Sequence, residues 1–174
     1  MNGVRFPEGL RLEALRREHA RHAFRSGQDQ VDDWLARKSL QHQRKHLSAT
    51  KVLVDAHGIV VGYFTLAMGQ VDFGDLPVDV TKHLPRRNLP VALLAWLGLR
   101  VQFQRQGLGT RLLAQALRDC YEAGKTFAFV AVILDCLNEQ AKSFYRKWDF
   151  EELPGHPYRL FLSTAQLSAM IEAQ

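Results

Sequence analysis

With 47% hydrophobic and 24% charged side chains, 174 residues suffice for one packed domain spanning residues 1–174, which excludes a disordered segment. No apolar run approaches the roughly 18 residues needed to span a bilayer, and MNGVRFPEGLRLEAL lacks a secretory signal's apolar stretch, so a cytoplasmic chain without a membrane role is expected. The net charge of +5 is concentrated in residues 11–51, where ten Lys or Arg face five acids; that balance suits a polyanionic partner, or is simply a solvated helix surface.

In chain order, Leu10–Leu15 alternates apolar and polar residues and predicts a first strand. A helix follows with Asp29 as N-cap and Val31, Trp34, Leu35 and Leu40 as its buried stripe. Its other face carries Arg37, Lys38, Arg44 and Lys45. The pairs His19/His22 and His42/His46 have helical ligand spacing, but H-E-x-x-H is absent and Arg and Lys lie between them, so no metal site is expected. Thr50–Asp55 and Ile59–Met68 flank His57-Gly58 and predict a hairpin. Gly62 within the second strand marks either a bulge or a close backbone approach. Phe73–Pro90, with three prolines and no periodicity, reads as a long substrate-facing loop.

The run Val91–Leu99 is continuously apolar and predicts a fully buried strand. After it comes VQFQRQGLGT, then a helix with Leu112, Leu113, Ala116, Leu117 and Cys120 at helical spacing and Gly124 as its stop. A strand-to-helix turn with glycines at 107 and 109 lets backbone N–H groups approach a ligand, and the helix N-terminus attracts phosphate. Leu112 rules out a dinucleotide G-x-G-x-x-G, and Thr110-Arg111 rules out a P-loop. Phe127–Asp135 predicts another buried strand. Asn138 then caps a helix, Pro154, Gly155 and Pro157 break the chain, and Tyr158–Leu162 forms a last strand. Ser163 or Thr164 caps a closing helix with Leu167, Met170 and Ile171 on one side. Cys120 and Cys136, in a helix and a strand, read as buried reduced thiols.

Gln104-x-x-Gly107-x-Gly109 resembles the Q/R-x-x-G-x-G/A pyrophosphate loop of the GNAT superfamily of acetyl-CoA-dependent N-acetyltransferases. Asn138-x-x-Ala141-x-x-Phe144-Tyr145-x-x-x-Asp149-Phe150 is similar to a second segment of that family, with Asp149 where the family has glycine; Asp tolerates a left-handed turn. The resemblance implies the GNAT (acyl-CoA N-acyltransferase) α/β fold, a mixed central sheet flanked by helices on both faces. Phe24-x-x-Gly27, Val31-Asp32-x-Trp34-Leu35 and Leu89-Pro90-Val91-x-x-Leu94 are further similar to acetyltransferase toxins of bacterial toxin–antitoxin pairs, with Ala92 in place of their second proline. That narrower resemblance implies acetylation of the α-amine of aminoacyl-tRNA and a small ribbon-helix-helix antitoxin; a homodimer is a further expectation. An acetyltransferase of a small amine or protein amine is the alternative.

Carried over residue by residue, the resemblance implies an acetyl-CoA site. Backbone groups of Gln106, Gly107, Leu108, Gly109 and Thr110 hold the pyrophosphate, beside Gln104, with Arg105 and Arg111 adding charge. The strand before the loop splays from its neighbour, and Leu99 and Val101 pair with the pantetheine or pack in the core. Asn138 contacts the pantetheine amide or only caps its helix, with Ala141 in the first turn. Phe144 is grouped with the cofactor residues, though its position beside Tyr145 suits core packing. Tyr145 is the expected general acid, since a phenol's pKa of about 10 lies above a thiol's of about 8.5, unless it merely packs. Asp135 and Glu139 lie near the site without a clear role as base. Arg37, Lys38, Arg44 and Lys45 are the expected tRNA-contacting residues.

Overall fold

The computed structural model describes residues 3–174. Seven strands form one sheet in the order β1-β2-β3-β4-β5-β7-β6: Arg11–Ala14, Ala49–Val54, Val60–Val71, Leu89–Leu99, Ala131–Asp135, His156–Ser163 and Glu151–Leu153. The sheet is mixed, with β4 and β5 parallel (Val91↔Ala131 to Leu93↔Ile133) and β1–β2, β2–β3, β5–β7 and β6–β7 antiparallel. By contact density the chain forms two compact units, one holding the residues up to Ala67 with Leu94–Arg118, the other Met68–Leu93 with Asp119–Gln174.

In the first unit, the predicted hairpin forms around Gly58 at φ 77°. The close-approach reading of Gly62 holds, while the irregularity in the ladder falls at its neighbour Val61, Gly62 itself pairing with Leu53. The β2–β3 register shifts between Leu53 and Val54, and a Cβ on Gly62 would lie 3.1 Å from the Gly98 carbonyl. Residues 29–44 are helical in three pieces: α1 (Asp29–Asp33), a π-helical turn (Trp34–Lys38) and α2 (Ser39–Arg44). Asp29 is not the N-cap. Gln28 occupies that position with no side-chain bond, and Asp29 begins the helix as a first-turn charge favoured by the helix dipole. Val31, Leu35 and Leu40 are buried as predicted, with Phe24, Tyr63 and Val52 in the same cluster, whereas Trp34 is only half-buried, stacked on Trp96 at 5.4 Å. The close approach of α1 to β4 depends on Gly98, where a Cβ would come within 2.5 Å of Val31 Cγ1.

Helix α4 (Leu108–Gly124) buries Leu112, Leu113 and Leu117 almost completely. Each such side chain contributes about 1.5–3 kcal/mol by leaving water, enough to hold the helix start where the preceding turn needs it. The strand before the turn is less buried than its composition predicts: β4 begins at Leu89, Ala95 is exposed, and Trp96 and Leu97 are half-buried.

The second unit packs Val71, Leu76, Leu89, Val91, Ala131, Ile133, Leu153 and Phe161 into one cluster. Residues 73–90 are not a featureless loop. Phe73–Asp75 forms a 3-10 turn, Val78–Thr81 a short helix α3, and Leu89-Pro90 already belongs to β4. Nor is Phe127–Asp135 wholly a strand: β5 starts at Ala131, Phe127 is 70% exposed, and Cys136 follows the strand's end. Unforeseen is β6, a three-residue strand whose alternation is too short to detect. Helix α5 (Glu139–Arg146) is capped by Asn138, and Asp149 takes φ 66° in the turn after it, as the family's glycine would. Ser163, not Thr164, caps α6 (Thr164–Glu172) in a capping box with Gln166. Among the described residues, no helix is long and apolar enough to cross a membrane.

Candidate active site

The glycine turn is built from the end of β4 outward. Arg100 anchors the strand: its N–H donates to Val61 O at 2.7 Å, and its guanidinium reaches Val60 O at 3.0 Å and Ala23 O at 3.1 Å. A 3-10 turn, Val101–Phe103, follows, and Val101 N–H donates to Arg25 O at 3.0 Å. Val101 is 52% exposed, so core packing does not explain it, and its N–H is already engaged. Leu99 is buried, and its carbonyl accepts from Gln104 Nε2 at 2.8 Å.

Arg105 at φ 61° and Gly107 at φ 79° both take left-handed backbone, which reverses the chain into α4. The first helical bond closes from Arg111 N to Gly107 O at 3.3 Å. The N–H groups of Leu108, Gly109 and Thr110 therefore have no intrahelical acceptor, leaving three aligned donors at the positive end of a 17-residue helix. A Cβ on Gly107 would meet nothing within 4 Å, so the space beside Gly107 is open. Unpaired amides at a helix N-terminus are of the kind that hold phosphate groups. Gln106 Nε2 is bonded to Gln102 O at 3.1 Å, Arg105 is exposed, and the Arg111 guanidinium donates to the Arg5 carbonyl.

The second group of expected residues stands on α5 and around it. Asn138 Oδ1 accepts from Ala141 N at 2.8 Å, so capping accounts for the oxygen and leaves the side-chain NH2 unused by the cap. Tyr145 is 8% exposed, with edge contacts to Phe144 at 5.2 Å and Phe150 at 5.9 Å between ring centroids. Of the neighbouring aromatics, Phe144 is the half-buried one and Tyr145 the buried one, the reverse of the packing expected for Phe144. Burial raises the Tyr145 phenol well above its ordinary value, and the nearby Cys136 adds to the shift. Burial likewise pushes the Cys136 thiol up to about 11. Tyr145 is therefore a neutral O–H donor at any physiological pH, and a thiolate leaving into the same apolar surroundings would also gain basicity.

Asp135 and Glu139 are both engaged. Arg159 holds Asp135 through two bonds, Nε–Oδ1 at 2.8 Å and Nη2–Oδ2 at 3.2 Å. Tyr158 donates its hydroxyl to Glu139 Oε1 at 2.6 Å, while Lys142 lies 5.3 Å over the Tyr158 ring and pairs with Glu152 at 2.6 Å. Tyr158 and Arg159 were not legible as site neighbours, because a contact across 19 or 24 residues leaves no local signal.

On α1–α2, Lys38, Arg44 and Lys45 are exposed and Arg37 makes only a loose contact with Asp33, at 3.7 Å. Together with Arg21 and His22, three of them (Arg37, Arg44 and Lys45) line a shallow groove. His19 is used structurally: Nδ1 accepts from Arg16 N and Nε2 lies 2.8 Å from Glu13 Oε2.

The chain is 33% identical to the tRNA-acetylating toxin of Mycobacterium tuberculosis strain H37Rv over 149 residues, 86% of this chain and 89% of that relative. Among solved structures it resembles AtaT complexed with acetyl-methionyl-tRNAfMet, at TM-score 0.85 and 24% identity, covering 93% of this chain and 99% of that one. It also resembles an AtaT mutant toxin bound to the C-terminus of the antitoxin AtaR and acetyl-CoA, at TM-score 0.79 and 20% identity, covering 94% of this chain and 99% of that one. The family model described as the acetyltransferase (GNAT) family matches residues 12–150, and with the glycine turn and the Asn138–Tyr145 helix inside that span, the chain belongs to this family.

Proposed function

We propose that the protein transfers the acetyl group of acetyl-CoA to the α-amine of aminoacyl-tRNA and so blocks translation, as the toxin of a toxin–antitoxin pair. The observation that carries this reading is the 33% identity, over most of both chains, to a relative named tRNA-acetylating toxin. The cofactor half rests on the free first-turn amides of α4 and the open space beside Gly107. In the first unit Gln106, Gly107, Leu108, Gly109 and Thr110 hold the pyrophosphate, and Leu99 and Val101 serve the pantetheine; in the second, the cofactor residues are Asn138, through its spare NH2, with Ala141 and Phe144. Tyr145 donates its proton to the departing thiolate. Since Asp135 and Glu139 are tied up by Arg159 and Tyr158, no side chain is assigned as base. An α-amine titrates near 7.7–8 and is partly neutral without one, whereas a lysine at about 10.4 is not. This favours an α-amino acceptor.

The exposed Arg37, Lys38, Arg44 and Lys45 meet the tRNA phosphates. A ribbon-helix-helix antitoxin restrains the enzyme, which works in the cytoplasm as a homodimer; an AtaT structure carrying an antitoxin C-terminus supports the antitoxin part. The test is mass analysis of a mixed aminoacyl-tRNA pool after incubation with acetyl-CoA. A gain of one acetyl group on a charged tRNA is the expected result. Acetylation of free amines alone would replace the tRNA reading with a small-amine enzyme.

A further inference from the structure

Gln104, the first fixed position of the glycine-turn pattern, does not aim its side chain at the turn's donor groups. Its Nε2 spends both hydrogens on carbonyls, Leu99 O at 2.8 Å and Ser26 O at 2.7 Å, the latter 78 residues away in sequence. Ser26 is buried and is itself held from the other side: its N–H and Oγ both donate to Asp32 Oδ1, at 2.9 and 2.6 Å, and its Oγ accepts from Gln28 N at 3.1 Å. Asp32 stands in the first turn of α1. A parallel tie runs beside this one, from Val101 N to Arg25 O, with Gly27 at φ 91° lying close to the Val101 side chain. The donor turn is thus joined to the start of α1 through two consecutive links, Gln104 to Ser26 and Ser26 to Asp32, and the segment that follows carries the exposed Arg37, Lys38, Arg44 and Lys45.

We propose that Gln104, Ser26 and Asp32 form a positioning relay, in which Gln104 touches no part of acetyl-CoA but fixes the cationic helix to the donor turn, so that filling the turn orders the helix that receives the acceptor. The proposal rests on the donor-site reading above. Ordering the turn lowers the cost of ordering whatever is bonded to it, and such coupling between two sites is reciprocal. Gln104→Glu keeps the side chain's shape but sets a carboxylate against two carbonyls. Asp32→Ala cuts the relay at its far end, away from the turn. Gln104→Arg restores two donors toward the same carbonyls.

The experiment is amide hydrogen exchange of the full chain with and without acetyl-CoA. In the parent, acetyl-CoA is expected to slow exchange both at residues 106–111 and at residues 29–44, the latter roughly fivefold or more, the lower range of such couplings. In Gln104→Glu and in Asp32→Ala the turn should still be protected while protection of 29–44 disappears, and Gln104→Arg should recover it. Protection of 29–44 that survives in both disrupting variants, or protection of the parent at the turn alone, overturns the relay. If acetyl-CoA protects neither segment of the parent, the donor site itself is wrong and the relay falls with it.

Discussion

Tyr145 illustrates how one side chain's surroundings set its chemistry. In water a phenol near pH 10 is a modest acid; buried between Phe144 and Phe150 it holds its proton more tightly and offers a neutral O–H. Tyr145→Phe removes that hydroxyl and almost no volume. Acetyl-CoA affinity by calorimetry should be unchanged, while kcat should fall by roughly 10²–10⁴, the usual span for general acid catalysis. A near-parental kcat would assign proton donation to water. Glu13 gives a residue-level prediction about stability. Hydrogen bonding by His19, then Arg11, lowers its carboxyl from 4.5 to about 2. A group with a depressed folded pKa stabilises the fold fully above its unfolded value, and loses that contribution as pH falls through the folded one. Glu13→Gln should therefore lower the melting temperature at pH 7, with the gap to the parent closing between about 4.5 and about 2. Thermal unfolding followed by circular dichroism across that range checks it.

At the scale of an element, the turn into α4 combines two requirements that usually conflict. It takes left-handed backbone at residues 105 and 107, yet leaves the first-turn amides of α4 bare. Arg105 pays strain for the first position, whereas glycine meets the second without a side chain. Gly107→Glu would place a carboxylate over the pyrophosphate position. At an effective dielectric of 20, two unit charges about 4 Å apart repel by about 4 kcal/mol. Acetyl-CoA binding should weaken by well over tenfold, against a smaller loss in Gly107→Ala, which shares the backbone strain without the charge. Equal affinities for the parent and Gly107→Glu would remove the pyrophosphate from this turn. Helix α5 depends on its cap in a similar local way. Asn138→Ala leaves the Ala141 N–H unpaired and should cost about 0.5–2 kcal/mol of stability in denaturant unfolding.

For the whole molecule, the decisive quantity is the placement of charge. The excess of ten cations over five acids in residues 11–51 equals the net charge of the chain; of its exposed members, Arg37, Lys38, Arg44 and Lys45 stand on or just after α1–α2, while Arg11, Arg16, Arg17 and Arg25 precede it. If these meet tRNA, joint neutralisation of Arg37, Lys38, Arg44 and Lys45 should weaken tRNA acetylation and leave acetyl-CoA binding intact. Parental activity should fall with salt at a log–log slope of roughly −0.9 per duplex phosphate contact, and less steeply in the variant. Acetylated aminoacyl-tRNA measured against salt for both proteins provides the check. Coincident curves would clear this face of a role, and a salt-independent rate would exclude a polyanionic acceptor.

What the sequence determined by itself was local. Glycine spacing, helical periodicity and cap residues act within a few positions, so the glycine turn, α4 and the Asn138 cap could be read directly, whereas the left-handed turn at Asp149 came only from the family resemblance. Short elements escaped for the same reason: three residues of β6 and four of α3 end before a second period, so no repeat is visible. Burial in β4 was misjudged because composition reports how apolar a strand is, and not which of its side chains a neighbour covers. Only the tertiary structure decided which polar groups meet. Arg159 with Asp135, Tyr158 with Glu139, and Gln104 with Ser26 join residues 19 to 78 positions apart, brought together by strand order and packing. Gly98 shows the limit most plainly. Its residue type is visible in the chain, but the Val31 methyl that forbids any side chain there belongs to a helix more than sixty residues earlier, placed by burial of its apolar stripe.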